Sequence, residues 1–316
     1  MHRVPILFAL VAAATGPAAA QATFDITFDP SADVLQPAER AAVATHLREA
    51  GRRWSQALGA TAPVTIAIRV AIADVPTANG ASAATAFVGV FGGRDTFEQG
   101  AAHKLRTGVD VNGADADGIV TFGLNYLRNE LWFDPDPVLR IAPVPANRTD
   151  AFSVALHELG HVLAYNGWAD LTTGQPPATY WSTFDRWMMP GAPTLFAGPA
   201  ATQAWGVAPD LTTGNNTHWA NPVLRTGRPA AVPAPVRWAG GAPVPIAACG
   251  LPMSIDAPPS ADAVLRGAGG LIDQLMNGVV FYRGTRYDLS ALDRAVLADV
   301  GLLRERIFAG DFEPDR

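Results

Sequence analysis

The segment that most constrains the fold of this chain is TDAFSVALHELGHVLAYNG, residues 149–167. Its apolar side chains recur every three or four residues, which is the spacing of a helix with one buried face. We place the N-cap at Thr149 or Asp150, because these residue types accept hydrogen bonds from the first turn, and a left-handed C-cap at Asn166-Gly167. The segment therefore predicts a capped helix that packs on one side.

The same helix carries the pattern His157-Glu158-x-x-His161. Residues four apart share a helix face, so both imidazoles can reach one metal ion with Glu158 beside them. Gly160 is about 1 kcal/mol less favourable than Ala in a helix interior, which predicts that another backbone approaches there. The pattern is short and also occurs in ordinary amphipathic helices, so the rest of the chain has to decide between a zinc site and a structural helix.

A catalytic zinc ion takes three protein ligands and keeps one position for water. His218, in the sequence GNNTHWAN, is the only histidine that follows His161. Asp170 competes for the role of third ligand, since it lies a few residues past the helix, and Asp185 is a weaker competitor. We favour His218 and keep both aspartates as alternatives.

The first 20 residues predict a secretory signal peptide. His2 and Arg3 precede an apolar run at 6–14, which is shorter than the roughly 20 residues that cross a bilayer, and small residues follow it. A single cysteine, Cys249, excludes an internal disulfide framework. The net charge of −6, without a Lys/Arg cluster, argues against nucleic acid as a partner. We expect a secreted chain, in the periplasm or the medium, that does not span a membrane.

Alternating and helical hydrophobic patterns predict an α+β fold. Residues 21–167 form a sheet-and-helix lobe that includes the H-E-x-x-H helix, and residues 168–316 form a loop-rich lobe that ends in a helix. The predicted strands lie at 23–30, 63–75, 87–91 and from 117 onward, and the other predicted helices lie at 37–58 and 290–303.

Several motifs occur in order along the second half of the chain: TDAFSVALHELGHVLAYNGW, STFDRWM, LFAGPAATQAWG, NNTHWAN, LMNG and YDLSALDRAVLADVGL. This series resembles secreted metzincin-like zinc proteases, as in leishmanolysin-like peptidases and related bacterial proteins with a distant third histidine. Ala164 and Tyr165 depart from the Gly-Phe usual after the second histidine, and leishmanolysin's cysteine-rich framework is absent.

The resemblance implies a zincin fold and a zinc endopeptidase that acts on protein or peptide substrates. It implies that His157, His161 and His218 bind Zn²⁺, that Glu158 is the general base, and that Met276 lies in a turn beneath the metal. It also implies that the strand at 119–124 pairs with an extended substrate. The alternatives are a secreted zinc-binding or surface-associated module without turnover and a zinc hydrolase that acts on a non-peptide bond.

Other polar residues have plainer interpretations. DVNGADADG, residues 110–118, offers oxygens suited to Ca²⁺, although a solvated turn before a strand explains them better because the EF-hand register is missing. Tyr282 and Tyr287 follow the methionine turn, where a tyrosine can stabilise an oxyanion, but strand packing is the expected role. We expect His46 and His103 to be exposed.

Overall fold

The computed structural model describes residues 22–59, 63–220, 253–256, 270–278 and 280–303. Within these ranges the protein is α+β with mixed sheets, as predicted. The predicted signal peptide and Cys249 lie outside the described residues, and the division into two lobes at residue 167 stays a prediction. The helices are α1 (Pro37–Leu58), α2 (Gly100–Thr107), α3 (Leu124–Asn129), α4 (Ala151–Leu163), α5 (Pro199–Trp205) and α6 (Ala291–Asp299).

Most strands are short. In the first half of the chain they are β1 (Thr23–Phe28), β2 (Thr65–Ala73), β3 (Ala78–Ser82), β4 (Thr85–Phe91), β5 (Arg94–Gln99), β6 (Gly118–Gly123), β7 (Leu131–Trp132) and β8 (Thr149–Asp150). After α4 they are β9 (Tyr180–Ser182), β10 (Met188–Met189), β11 (Leu195–Phe196), β12 (Leu211–Thr212), β13 (Asn215–Trp219), β14 (Met253–Asp256) and β15 (Val280–Arg283).

The main sheet has the strand order β1-β2-β6-β3. Strands β1, β2 and β6 run parallel, and β3 is antiparallel to β6. Because β6 lies between β2 and β3, its backbone groups are already paired on both sides. The expectation that the strand at 119–124 binds an extended substrate is therefore wrong, and in the described part of the chain β3 is the strand on that edge of the sheet.

Helices α1 and α4 cover this sheet and form the core with it. Helix α1 has the predicted bounds, and its fully buried Trp54 donates its indole N–H to the carbonyl of Leu156 on α4 at 2.9 Å. On the opposite side of α4, a Cβ added to Gly80 of β3 would lie 2.1 Å from the carbonyl oxygen of Glu158. Only glycine lets β3 approach α4 this closely, so both sides of the helix are fixed by contacts.

His46 corrects one expectation, because it is buried between the helices rather than exposed. Its Nδ1 lies 2.8 Å from the carbonyl of Ala42, and its ring packs edge-on against Phe133 and Phe152. Burial lowers the pKa of His46, so the ring is a neutral part of the core at neutral pH.

Helix α4 begins as predicted and ends earlier than predicted. The side chain of Asp150 caps it by accepting the N–H of Ser153, whereas the helix stops at Leu163 and Ala164 is its C-cap, with φ −143°. The left-handed C-cap at Asn166-Gly167 is wrong, since Gly167 is not among the glycines with positive φ. A Cβ on Gly167 would lie 1.9 Å from Oδ1 of Asp185, so this glycine makes room for a carboxylate.

In its described part, the chain after α4 consists mainly of loops and short two-stranded ladders. Strand β9 adds to a second sheet of order β4-β5-β9. Helix α6 begins with a capping box in which Ser290 and Asp293 exchange side-chain to backbone hydrogen bonds. Among the described helices, none combines the length and the hydropathy that a membrane crossing needs.

Candidate metal centre

Three histidine side chains meet in the interior of the protein. His157 and His161 come from consecutive turns of α4, and His218 comes from β13. Their Nε2 atoms lie 3.1 Å apart for His157 and His161, 3.0 Å for His157 and His218, and 2.9 Å for His161 and His218. All three side chains are fully buried. In the described part of the chain, no other group of three metal-binding side chains brings its ligand atoms this close.

Backbone carbonyls determine which ring nitrogen of two of these histidines carries the proton. Nδ1 of His157 lies 2.7 Å from the carbonyl oxygen of Leu275, and Nδ1 of His161 lies 2.7 Å from that of Tyr165. A carbonyl can only accept, so each Nδ1 carries the proton and each Nε2 presents a lone pair. No sequence pattern indicates Leu275 or Tyr165 for this role, because any residue type supplies a carbonyl.

Burial keeps the three imidazoles neutral. It lowers the pKa of His157 and of His218 well below the ordinary value, and it lowers the pKa of His161 to about 4. Proximity to His161 lowers the pKa of the other two further. Neutral imidazole is the form that binds a metal ion.

The donor set fits a zinc ion. Lone pairs of neighbouring neutral imidazoles converging within 3.1 Å repel one another unless a cation lies among them. Two nitrogens bound to one tetrahedral zinc at about 2.0–2.1 Å lie roughly 3.3 Å apart, within a few tenths of an ångström of the separations here. Three buried imidazoles, two of which have carbonyl partners on Nδ1, match the usual surroundings of a protein-bound zinc. The cluster can therefore hold a metal ion.

The turn at 275–278 holds both parts of the cluster together. Leu275 contacts His157, as described above, and the next residue, Met276, accepts the backbone N–H of Trp219 at 2.9 Å. The N–H of Gly278 in turn donates to the carbonyl of Trp219 at 2.9 Å. Since Trp219 directly follows His218, this turn fixes the position of His218 relative to α4.

Met276 is fully buried and packs against Gly160 of α4. A Cβ on Gly160 would lie 2.6 Å from the sulfur of Met276 and 3.2 Å from the ring of Trp54. The expectation that another backbone approaches Gly160 is therefore wrong, because two side chains fill that space. Met276 therefore lies beside the helix that carries His157 and His161, and its place beneath a metal ion stays a prediction.

Glu158 is fully buried, and in the described part of the chain neither of its carboxylate oxygens has a hydrogen-bond partner. Burial raises the pKa of this carboxyl well above its ordinary value. Unpaired buried carboxylates cost several kcal/mol and are rare in structural roles. A buried carboxylate without a hydrogen-bond partner, on the residue that follows a histidine of the cluster, is typical of a reacting group.

Neither aspartate considered as a third ligand lies in the cluster. Asp170 is exposed and accepts the backbone N–H groups of Thr172 and Thr173 at 3.1 and 2.7 Å. Asp185 is buried, but its carboxylate accepts the backbone N–H groups of Trp168 and Ser182 at 2.7 and 3.0 Å. Both carboxylates shape the chain after α4.

The loop considered as a calcium site is occupied by an ammonium group. Nζ of Lys104 lies 2.7 Å from Asp110 and 2.9 Å from Asp117. Asn112 donates its amide to the carbonyls of Asp115 and Ala116. These contacts match a structured turn before β6. Nearby, His103 is half-buried and paired with Glu98 at 3.0 Å, so the expectation that it is exposed is wrong.

The two tyrosines after the methionine turn pack in the interior. Tyr287 stacks on Phe281 with ring centroids 4.1 Å apart, and its hydroxyl oxygen accepts the backbone N–H of Tyr282 at 3.2 Å. Phe281 in turn packs edge-on against the ring of His157 at 5.4 Å. A packing role for these tyrosines, as expected, accounts for the contacts.

Comparisons of the chain with protein-family models, with curated proteins and with solved structures find no match. The interpretation of the site therefore depends on its geometry and on the motifs in the sequence.

Proposed function

We propose that this protein is a secreted zinc-dependent endopeptidase in which His157, His161 and His218 bind the metal and Glu158 is the general base. The observation that carries the proposal is the combination of three converging imidazoles with one unpartnered buried carboxylate from the residue after His157. A purely structural zinc site has four protein ligands and needs no base. Here three histidines converge, and the carboxylate of the residue after His157 has no hydrogen-bond partner in the described part of the chain.

The chemistry divides between the ion and the protein. A bound zinc ion supplies Lewis acidity and lowers the pKa of a water molecule toward about 7. Glu158 takes a proton from the attacking water and delivers it to the leaving amine. Burial keeps His157 and His161 neutral, and backbone carbonyls hold their remaining protons on Nδ1, so that Nε2 stays available to the metal.

Strand β3 is the element best placed to bind an extended peptide. Its register with β6 directs the peptide groups of Ala78, Gly80 and Ser82 away from the sheet, toward its outer edge. Gly80 packs directly against the backbone of Glu158. A substrate strand added to this edge would run beside the residue proposed as the base.

We also propose a fold family and a cellular location for this enzyme. The order of the motifs supports a metzincin-like zincin fold related to the leishmanolysin-like peptidases, with Met276 in the turn beside the metal helix. The pattern of residues 1–20 supports export from the cytoplasm.

One observation favours a second candidate function, a zinc-binding module of the same fold without turnover. All three histidines and Glu158 have no exposed surface, whereas a peptidase must admit its substrate to them. The two candidates differ in a measurable way, because only the enzyme cleaves a peptide when zinc is bound.

The test uses the secreted form of the chain, loaded with zinc and assayed against casein and a panel of peptides. We expect one zinc ion per chain and cleavage by the wild type. Glu158→Gln should keep the zinc and lose cleavage, since glutamine cannot accept the proton. Zinc binding without cleavage of any substrate would overturn the proposal in favour of the binding module.

A matched pair of variants tests the third ligand. His218→Ala should lose zinc, whereas Asp170→Ala should keep it, because the side chain of Asp170 contacts only its own turn. Retention of full zinc affinity by His218→Ala would contradict the proposed ligand set.

A further inference from the structure

Asp293 lies in the first turn of α6 and is fully buried. Its Oδ2 accepts both the backbone N–H of Ser290 at 2.8 Å and the hydroxyl of Ser290 at 2.9 Å. These bonds complete the capping box of α6. They use only one of the two carboxylate oxygens.

The other oxygen makes a contact across the fold. Oδ1 of Asp293 accepts the hydroxyl of Tyr165 at 3.1 Å, and Tyr165 is fully buried. The backbone carbonyl of Tyr165 is the acceptor for Nδ1 of His161. Asp293 is therefore connected to one of the proposed metal ligands through a single residue.

The same carboxylate also lies next to the segment that carries His218. The indole N–H of Trp219 has no hydrogen-bond partner in the described part of the chain, and the smallest of the effects on the pKa of Asp293 is a lowering by this indole. The ring of Trp219 packs perpendicular to that of Tyr165, with centroids 5.7 Å apart. Trp219 is fully buried and directly follows His218.

A capping residue alone does not explain this arrangement. Residues at this position of a helix are usually at the surface, where a carboxylate caps without losing its hydration. Burying a carboxylate is costly, and burial is the main cause that raises the pKa of Asp293. The hydroxyl of Tyr165, which donates to Oδ1 from a distant part of the chain, therefore points to a second role for this side chain.

We propose that Asp293 is a positioning residue for the metal centre, which holds Tyr165 and Trp219 in register and thereby sets the separation of His161 from His218. This inference rests on the proposed metal site and goes beyond it, because Asp293 belongs to the C-terminal helix and touches none of the three histidines in the contacts described above. The carboxylate binds the segment that supplies His161 directly, and it reaches the segment that supplies His218 through the ring of Tyr165, which packs on Trp219.

The expected effect is a loss of metal affinity. Removing a group that orients a metal-binding histidine weakens metal affinity by about 10–100-fold. Since Asp293 acts through Tyr165 and Trp219, we expect Asp293→Ala to weaken zinc binding by about tenfold, at the lower end of that range. The visible spectrum of the cobalt-substituted protein should also change, because it reports ligand geometry.

Ser290→Ala is the matched control for the capping role. It removes the hydroxyl that caps α6 and leaves the carboxylate of Asp293 free to bind Tyr165. Both variants should lower the thermal stability of the apoprotein. Only Asp293→Ala should weaken zinc binding, measured by competition with a chromophoric chelator on the full chain at a temperature where both variants are folded.

Tyr165→Phe provides a second test that leaves the cap of α6 intact. It removes only the hydroxyl, so it should weaken zinc binding in the same direction as Asp293→Ala, and the double variant should be no weaker than Asp293→Ala alone. If Asp293→Ala does not fold, Tyr165→Phe decides the question by itself.

The outcomes separate this inference from the proposed function. Suppose that the wild type binds zinc and that Asp293→Ala and Tyr165→Phe have the same zinc affinity and cobalt spectrum as the wild type. This result would overturn the positioning role of Asp293 but not the proposed metal site. A wild type that binds neither zinc nor cobalt would overturn both.

Discussion

The carboxylate of Asp185 organises the segment that follows α4. Removing this carboxylate should lower the free energy of unfolding by an amount that its hydrogen bonds allow us to estimate. Asp185 accepts backbone N–H groups from Trp168 at 2.7 Å, Ala169 at 3.3 Å and Ser182 at 3.0 Å. Gly167 leaves the space that the carboxylate occupies. Asp185→Ala would leave these donors without an acceptor.

An unsatisfied buried N–H costs about 1–3 kcal/mol. Ala169 and Ser182 are buried, whereas Trp168 is partly exposed and can bind water instead, so the loss amounts to roughly 2–6 kcal/mol. Burial raises the pKa of Asp185, which shows that the charged carboxylate is itself poorly solvated, and its removal offsets part of the loss. We expect a net destabilisation of about 3 kcal/mol, or a decrease in Tm of roughly 5 °C for a chain of this length.

Differential scanning calorimetry of the zinc-free chain measures this change. Asp170→Ala is the control, because Asp170 also accepts backbone N–H groups but is exposed, so that water replaces its carboxylate at little cost. Zinc content of both variants should equal that of the wild type. A Tm of Asp185→Ala within about 2 °C of the wild type would refute the reasoning that these donors depend on the carboxylate.

Three further predictions concern the core, pH and metal ions. Gly80→Ala should destabilise the protein by about 1–3 kcal/mol in urea unfolding, because its Cβ would overlap the backbone of Glu158; unchanged stability would contradict the close contact. Burial lowers the pKa of His46, so below about pH 6.5 the His46 imidazole binds a proton in the unfolded chain but not in the folded chain. The free energy of unfolding therefore decreases on acidification. His46→Leu should show a smaller loss of Tm between pH 7 and 5, and equal losses would contradict this. Zinc at about 100 times its Kd should add about 2.7 kcal/mol, whereas calcium should leave Tm unchanged because Lys104 occupies its loop.

The sequence was most informative where a local pattern is compatible with only one local structure. The bounds of α1 follow from the apolar spacing between Pro37 and Leu58, and the cap of α4 follows from the ability of Asp150 to accept an N–H. The spacing of His157 and His161 places both rings on one helix face in any fold. These features depend on residues close together in the chain, so the sequence alone was enough to predict them.

Most of the expectations that were wrong depended on neighbours distant in the sequence. Gly167 resembles a helix cap by residue type, yet its small size serves Asp185. His46 lies among charged residues in the sequence, yet Phe133 and Phe152 enclose it. The strand at 119–124 was expected to bind substrate, but in the sheet this strand pairs with β2 on one side and with β3 on the other.

The sequence by itself determined which side chains can bind a metal, because imidazole and carboxylate chemistry belongs to residue types and their spacing along one helix. Only the tertiary structure brought His218 to that helix and left Asp170 in an exposed turn. It also supplied the carbonyls of Leu275 and Tyr165 that orient the imidazoles, and the carboxylate of Asp293 that connects the last helix to them. Backbone groups and contacts between distant segments leave no pattern in a single sequence, so only folding decides them.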